Sequence, residues 1–342
     1  MSVPTRPAGA ARPPGMYDVA RLAGVSHMTV SRVLNDHGSV SAETRRKVRA
    51  AIDELGYRRN VAARTLVTRR SSTIGIITSG SMLYGPSSTM IAVERSARDA
   101  GYYVSLASLA SIQPSAVAEA ISYFVDQGVD GIAVIAPEAG VAHMAEPFIS
   151  AVPVVLIAAG AEPAAGVQIT AIDQEQGARQ ATRHLIDLGH TVIGHVAGPE
   201  PWFDASARLR GWRRELAAAG LSPGPVITGD WTPESGVRAA RTLLERGLPS
   251  ALFVANDLMA LGVLRVLHEA GVAVPEQISV VGFDDMPGAS HFAPGLTTIR
   301  QDVEGLGAQC IGMLLDAFDG HPTDRPPVPA RLIVRDSTAP PR

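Results

Sequence analysis

Val25-Ser26-His27-Met28-Thr29-Val30-Ser31-Arg32-Val33-Leu34-Asn35 follows Tyr17-Asp18-Val19-Ala20-Arg21-Leu22-Ala23 across a turn at Gly24. Two short amphipathic runs on either side of a glycine spell helix, tight turn, helix, the pattern of a helix-turn-helix. Ser26 stands where an N-cap belongs, its hydroxyl free to accept an amide proton of the next turn. Val30, Val33 and Leu34 recur at helical spacing and face inward with Val19, Ala20 and Ala23. That leaves His27, Met28, Ser31, Arg32 and Asn35 on the outer side. A row of short polar groups with one arginine suits a helix that reads base edges in a DNA major groove. An ordinary helical hairpin opening a domain would carry the same periodicity.

Working outward, Ser41-Ala42-Glu43-Thr44 reads as an N-cap with an acidic first turn. It leads into Arg45–Leu55, which carries Val48, Ile52 and Leu55 on one face and stops at Gly56. Asn60 through Leu66 is mostly small residues, too short to hold a helix unaided; it orders only when something packs against it. Upstream, residues 1–15 contain Pro4, Pro7, Pro13 and Pro14 with Arg6 and Arg12 and no apolar core, so they read as a flexible tail and not a signal peptide. Residues 1–70 carry 13 Lys and Arg against 5 Asp and Glu, whereas the remainder is acidic. A basic front on an acidic body places contact with a polyanion at the N-terminal end.

From Thr73 the texture changes. Apolar runs such as Ile74–Ile77, Val104–Leu106, Gly131–Ile135, Val154–Ile157, Val192–Gly194, Ala251–Val254 and Ile278–Val281 alternate with helical patterns, several ending at glycine (Gly101, Gly128, Gly189, Gly220, Gly247, Gly271). Continuous apolar strands alternating with helices mean parallel sheets covered on both faces. Some 270 residues of this pattern exceed one comfortable sheet, so two doubly wound lobes are expected, with a cleft between strand ends. No apolar run approaches the roughly 20 residues that span a bilayer. A single cysteine, Cys310, rules out an intrachain disulfide framework, suits a reducing cytoplasm, and sits in an apolar run as a packed thiol. His190 and His195 flank a strand without further ligands nearby, and no P-loop, dinucleotide fingerprint or G-x-S-x-G context appears. The expectation is therefore no metal, no cofactor and no enzyme chemistry. Asp284-Asp285 does not change it, since neighbours in extended chain face opposite ways.

These stretches resemble the lactose-repressor/galactose-repressor (LacI/GalR) family of bacterial transcription regulators. The resemblance rests first on Tyr17–Ala20, Ala23–Ser26, Thr29–Val33, Asn35, Leu55–Tyr57, Asn60 and Ala63–Leu66. In the body it rests on Gly177, His184-Leu185, Leu188–His190, Ala197–Pro199, Arg208 with Gly211-Trp212, Val254–Asp257 with Met259-Ala260, Ile278–Gly282 with Asp284-Asp285, and Leu296–Ile299. It covers roughly residues 16–340. Thr78-Ser79, Leu83, Pro86-Ser87 and Gly229–Trp231 lean toward the lactose-responsive branch. The resemblance implies a three-helix helix-turn-helix head on a two-lobed α/β body like that of periplasmic binding proteins. The divisions are a tail (1–15), a head (16–60), a hinge segment (61–71) and a body (72–342). Within the body, one lobe takes about 72–171 plus 302–330 and the other about 172–301 plus 331–340. It further implies a cytoplasmic homodimer on double-stranded operator DNA, with hinge segments that fold on the operator and Leu66 entering the minor groove. A carbohydrate effector bound between the lobes then alters operator affinity.

The resemblance also assigns roles. Arg32 reads guanine or clamps a phosphate, and His27 and Met28 hold the positions that set operator preference, where the lactose-responsive branch has tyrosine and glutamine. Thr29, Ser31 and Asn35 are phosphate or sugar contacts, Ser39 the same or a helix cap, and Tyr57, Asn60, Ala63 and Leu66 complete the DNA surface. In the cleft, Arg208 and Asp284 form the effector-binding pair, with Gln301 beside them. Asn256 contacts ligand or caps a helix, Trp231 stacks on a sugar ring or is plain core, and Ser79, Leu83 and Pro86 line the opposite wall. Gln176 replaces an aspartate and Asp204 a serine of the lactose-responsive branch, and Trp202-Phe203 adds aromatics nearby. These departures favour a sugar with a larger apolar face, a disaccharide or glycoside. A periplasmic-type sugar receptor shares the body, but it needs a signal peptide and no residues 16–66. The end after Leu332–Val334 lacks leucine heptads, so the expected oligomer is a dimer and not a tetramer.

Overall fold

The computed structural model describes residues 14–34, 40–57, 70–79, 83–110, 113–135, 151–160, 166–200 and 202–342. They fall into two compact units, Met1–Ser71 and Ser72–Arg342.

The first unit contains α1 (Met16–Ala23), α2 (His27–Leu34) and α3 (Ala42–Leu55). Gly24 and Gly56 end α1 and α3 in the left-handed conformation, at φ 65° and 60°, where a side chain would be strained. Both expected serine caps form. Ser26 Oγ accepts the Thr29 amide at 3.1 Å, and Ser41 Oγ accepts that of Thr44 at 3.2 Å. Val19, Val30 and Val48 are fully buried at the centre, ringed by Ala20, Val33, Ala51 and Tyr57. At about 1.5–3 kcal/mol for each large apolar side chain buried, this small centre is what holds three short helices that none of their own propensities would sustain.

The second unit is built on two sheets. β1 (Thr73–Ser79), β2 (Tyr103–Leu109), β3 (Gly131–Ile135), β4 (Val154–Ile157) and β5 (Gln168–Thr170) form one, in the order β2-β1-β3-β4-β5 and parallel throughout. The other holds β6 (Ile193–Ala197), β7 (Val226–Thr228), β8 (Ala251–Val254), β9 (Ser279–Asp284), β10 (Thr297–Arg300) and β11 (Arg331–Ile333), in the order β11-β10-β9-β8-β6-β7. Only β11 runs antiparallel, against β10. β3, β4, β6, β8 and β9 are buried along their whole length, as strands covered on both faces must be. The first sheet lies between α5 (Pro114–Asp126) on one face and α4 (Tyr84–Asp99) with α10 (Val303–Phe318) on the other. On the second sheet, α6 (Gln174–Asp187) and α7 (Phe203–Ala218) cover one face and α8 (Pro233–Arg246) with α9 (Asp257–Glu269) the other. Cys310 is buried within α10, and burial pushes its thiol up to about 12, so it is packing and not a nucleophile.

The chain passes between the two sheets three times, after β5, between β10 and α10, and between α10 and β11. Two of these crossings are laced together: Ile172 and Val328 pair as a parallel bridge, with Asp173 and Val328 amides donating across it at 2.8 Å each. The three-residue strands β5, β7 and β11 are not expected from the sequence. Each lies at a sheet edge, and three residues, partly exposed in β7 and β11, are too few to read as a strand.

Candidate functional site

On the head, α2 carries His27, Met28 and Arg32 exposed on one side, with Met28 at 62%. Thr29 shares its hydroxyl with Ser26 Oγ at 2.9 Å, part of the cap, and Ser31 is half-buried. Tyr57 is a core residue, only 8% exposed. Asn35, Ser39, Asn60, Ala63 and Leu66 lie outside the described residues. Sequence reasoning overlooked Tyr17, which is 71% exposed and stacks on His27 with ring centroids 4.5 Å apart and planes 22° apart.

In the body, two adjoining cavities lie between the sheets and share Gly85, Pro86, Trp202 and Asp204 in their walls. The smaller is polar and aromatic, bounded also by Leu83, Tyr84, Arg208, Trp231, Asn256 and Asp284. The larger has an apolar wall from Ile157, Ala158, Ile172 and Leu306 facing Gln174 and Gln301.

Arg208 comes from α7 and is 3% exposed. A guanidinium can be buried only when its donors are met. Here Nε donates to Gln174 Oε1 at 2.9 Å, Nη1 donates to the Ala255 carbonyl, and the Phe283 ring lies beneath at 3.8 Å. Asp284 Oδ1 stands 3.6 Å from Nη1, and Asp204, one helical turn before Arg208, stands 3.9 Å from Nη2. Gln174 Nε2 passes the chain on to Gln301 Oε1 at 2.8 Å, and Gln301 Nε2 donates to Asp284 Oδ1 at 2.7 Å. Arginine, two amides and a carboxylate thus close a ring in which each amide is oriented by the charge beyond it.

Burial pushes Asp284 up to about 7 against the opposing pull of Arg208, and burial together with the Asp284 charge pushes Asp257 up to about 8. Asp257 accepts from Thr298 Oγ1 at 2.6 Å and the Met286 amide at 2.9 Å. Burial also raises Asp204, with Arg208 opposing. Asp285 turns to other partners, Arg300 at 2.5 Å and Arg335 at 2.6 Å. The divergence of Asp284 and Asp285 is not extended-strand alternation, since both have positive φ, 115° and 51°.

Trp231, at φ 73°, is 5% exposed and meets Trp202 edge-on at 5.5 Å. Its buried indole Nε1 has no partner among the described residues. Asn256 caps α9, Oδ1 accepting from Met259 at 2.9 Å, and Nδ2 donates to the Trp231 carbonyl at 3.1 Å, yet it still forms part of the cavity wall.

Leu83, Pro86, Asp204, Arg208, Trp231, Asn256, Asp284 and Gln301 therefore come together, whereas Ser79 and Gln176 line neither cavity. Residues two apart on a helix point about 200° away from each other, so when Gln174 faces the cleft Gln176 cannot. Gln174 is the residue the sequence did not single out. His195 is fully buried between Phe253 and Trp212, and His190 hydrogen-bonds Ser250, Ser279 and the Ala339 carbonyl. No group of three metal-ligating side chains occurs among the described residues, and none of their helices is long and apolar enough to cross a membrane.

Comparison with known proteins agrees with this geometry. Residues 15–60 match bacterial regulatory proteins of the lacI family, and residues 182–338 match the periplasmic binding protein-like domain. The chain is 35% identical over 333 residues to the lactose operon repressor of Escherichia coli (strain K12), covering 96% of this chain and 92% of that protein. It is 36% identical over 342 residues to the HTH-type transcriptional regulator CelR of Thermobifida fusca, covering 94% and 96%. Among solved structures, the lac repressor dimer bound to operator and the anti-inducer ONPF superposes with a TM-score of 0.84 at 35% identity, covering 96% of this chain and all of that one. A CelR–cellobiose complex gives 0.69 at 34% identity, covering 95% and 99%. With the head, the two-sheet body and these relatives in agreement, the chain belongs to the LacI family of bacterial regulatory proteins and is a DNA-binding regulator of transcription.

Proposed function

We propose that this regulator is a cytoplasmic homodimeric repressor that grips double-stranded operator DNA with paired heads and changes its grip when a carbohydrate enters the cleft. The observation that carries the effector half is the closed ring Arg208–Gln174–Gln301–Asp284 beside two indoles. Sugar hydroxyls need fixed donors and acceptors, and sugar C–H faces need flat apolar walls; this cleft offers both. The relatives include a regulator solved with cellobiose, a disaccharide of neutral hydroxylated rings. On the head, Arg32 and His27 read base edges, Met28 meets a thymine methyl, and Thr29 and Ser31 lie against the backbone.

Coupling follows from where the ring sits. Gln174 begins the helix after the first crossing and Gln301 lies in the second, so a ligand that competes for Arg208 or Asp284 pulls on the segments that set the angle between the lobes. Such a ligand shifts the equilibrium only as far as its affinities for the two arrangements differ. Among the described residues of the cleft no nucleophile is paired with a base, and bound sugar is expected to be released unchanged.

Thermal-shift and calorimetric screening of neutral mono- and disaccharides, cellobiose and lactose among them, tests this. A stabilising saccharide lost in Arg208→Ala supports it, since a ligand specific to the folded state raises the melting point. Equal binding by Arg208→Ala, or turnover of the saccharide, would overturn it.

A further inference from the structure

The Tyr17–His27 stack joins the first turn of α1 to the first residue of α2. Both backbones are already pinned. Asp18, next to Tyr17, accepts the Gly15 amide at 2.8 Å and the Arg21 guanidinium at 2.5 Å, and Ser26 caps α2 through Thr29. The two rings therefore meet at a separation that the fold sets before DNA arrives. Tyr17 contributes nothing to the apolar centre of the head, whose members are Val19, Ala20, Val30, Val33, Val48, Ala51 and Tyr57. A single exposed aromatic is unremarkable by itself. One laid flat against a groove-facing histidine is not.

An imidazole donates and accepts only in its own ring plane. Fixing that plane fixes the directions along which His27 can meet a base edge, whereas an unstacked histidine would swing among rotamers and satisfy several edges equally. Met28, its exposed neighbour, has no in-plane polar atom and three soft torsions, so it discriminates by contact alone. We propose that Tyr17 is a positioning residue for operator reading: its ring holds the His27 imidazole plane and thereby sets the base preference at the one pair per half-site that His27 meets. This rests on the reading of α2 as the groove-facing helix.

The test is selection by the full-length protein from a pool of DNA duplexes randomised over roughly 20 bp, two half-sites about one helical turn apart. Wild type, Tyr17→Phe, Tyr17→Leu, His27→Ala and the Tyr17→Leu/His27→Ala double variant are compared. Wild type and Tyr17→Phe are expected to enrich the same sequence, because the ring is kept. Tyr17→Leu is expected to relax preference about tenfold at one base pair per half-site, the same pair that His27→Ala relaxes, at the lower end of what a good base contact discriminates. The double variant is expected to match His27→Ala. An unchanged consensus in Tyr17→Leu overturns the proposal. So does a uniform loss of affinity across all sequences that persists in the His27→Ala background, which makes Tyr17 a backbone contact. Enrichment of no sequence by the wild type removes the groove-facing reading of α2 itself, and the proposal with it.

Discussion

Arg208 and Asp284 stand 3.6 Å apart, but their firmest connection runs through Gln174 and Gln301, in hydrogen bonds of 2.9, 2.8 and 2.7 Å. The pair is thus held at its spacing by neutral groups that can re-form elsewhere. Gln174→Leu keeps the volume and removes both bonds, leaving a buried Arg208 N–H unsatisfied. The body should lose about 1–3 kcal/mol of stability. Saccharide affinity should fall at least about tenfold, a loss of roughly 1.4 kcal/mol in binding. Calorimetry and denaturant melts measure the two separately, and undiminished affinity would remove Gln174 from the ring's function.

Arg32→Ala should weaken specific DNA binding by about 1–3 kcal/mol and relax preference at one position. If only the salt dependence changes and sequence preference stays intact, Arg32 is a phosphate clamp. Binding isotherms on selected and scrambled duplexes at two salt concentrations distinguish the outcomes.

Gly198 sets the floor under Trp231: a Cβ there would lie 2.2 Å from the indole ring. Gly198→Ala should cost about 1–3 kcal/mol by overpacking and tilt Trp231 off the cavity wall. Tryptophan fluorescence should shift and saccharide binding should weaken together. A stable variant with unchanged emission and affinity would show that the indole's placement is immaterial.

The buried acids give stability an unusual pH dependence. Asp257 and Asp284 hold protons in the folded state well above the usual carboxylate range, to about 8 and about 7, so their contribution is fully present below about pH 4 and is lost as pH rises through those values. His184, His190 and His195 are lowered by burial, His195 to about 4, so they act oppositely and add stability as pH rises toward about 6.5. Of these groups, the two acids are the ones whose effect extends above that pH. Melting temperature should therefore fall between roughly pH 6.5 and 8, and Asp257→Asn should flatten the fall. A melting temperature that rises across this window contradicts the assignment.

Local chemistry made the head and the strands legible. Ser26, Ser41, Gly24 and Gly56 act within three or four residues, and all four do what their residue types allow. Every glycine expected to stop a body helix, from Gly101 to Gly271, has positive φ. The cleft was legible as a list through family resemblance, but not as a network. Gln174 meets Gln301 across 127 residues of chain, and no local pattern marks a glutamine for that meeting. Gln176 stood out only because it replaces an aspartate, whereas helix geometry turns it away from the cavities.

The most direct test of the whole account is operator affinity, by fluorescence anisotropy on the duplex selected in vitro, with and without a saccharide found to bind. Wild type should change affinity by about fivefold or more, the lower range of ordinary allosteric coupling. Arg208→Ala should bind the duplex as wild type does and not respond. A saccharide that saturates the cleft while operator affinity stays the same would contradict the account.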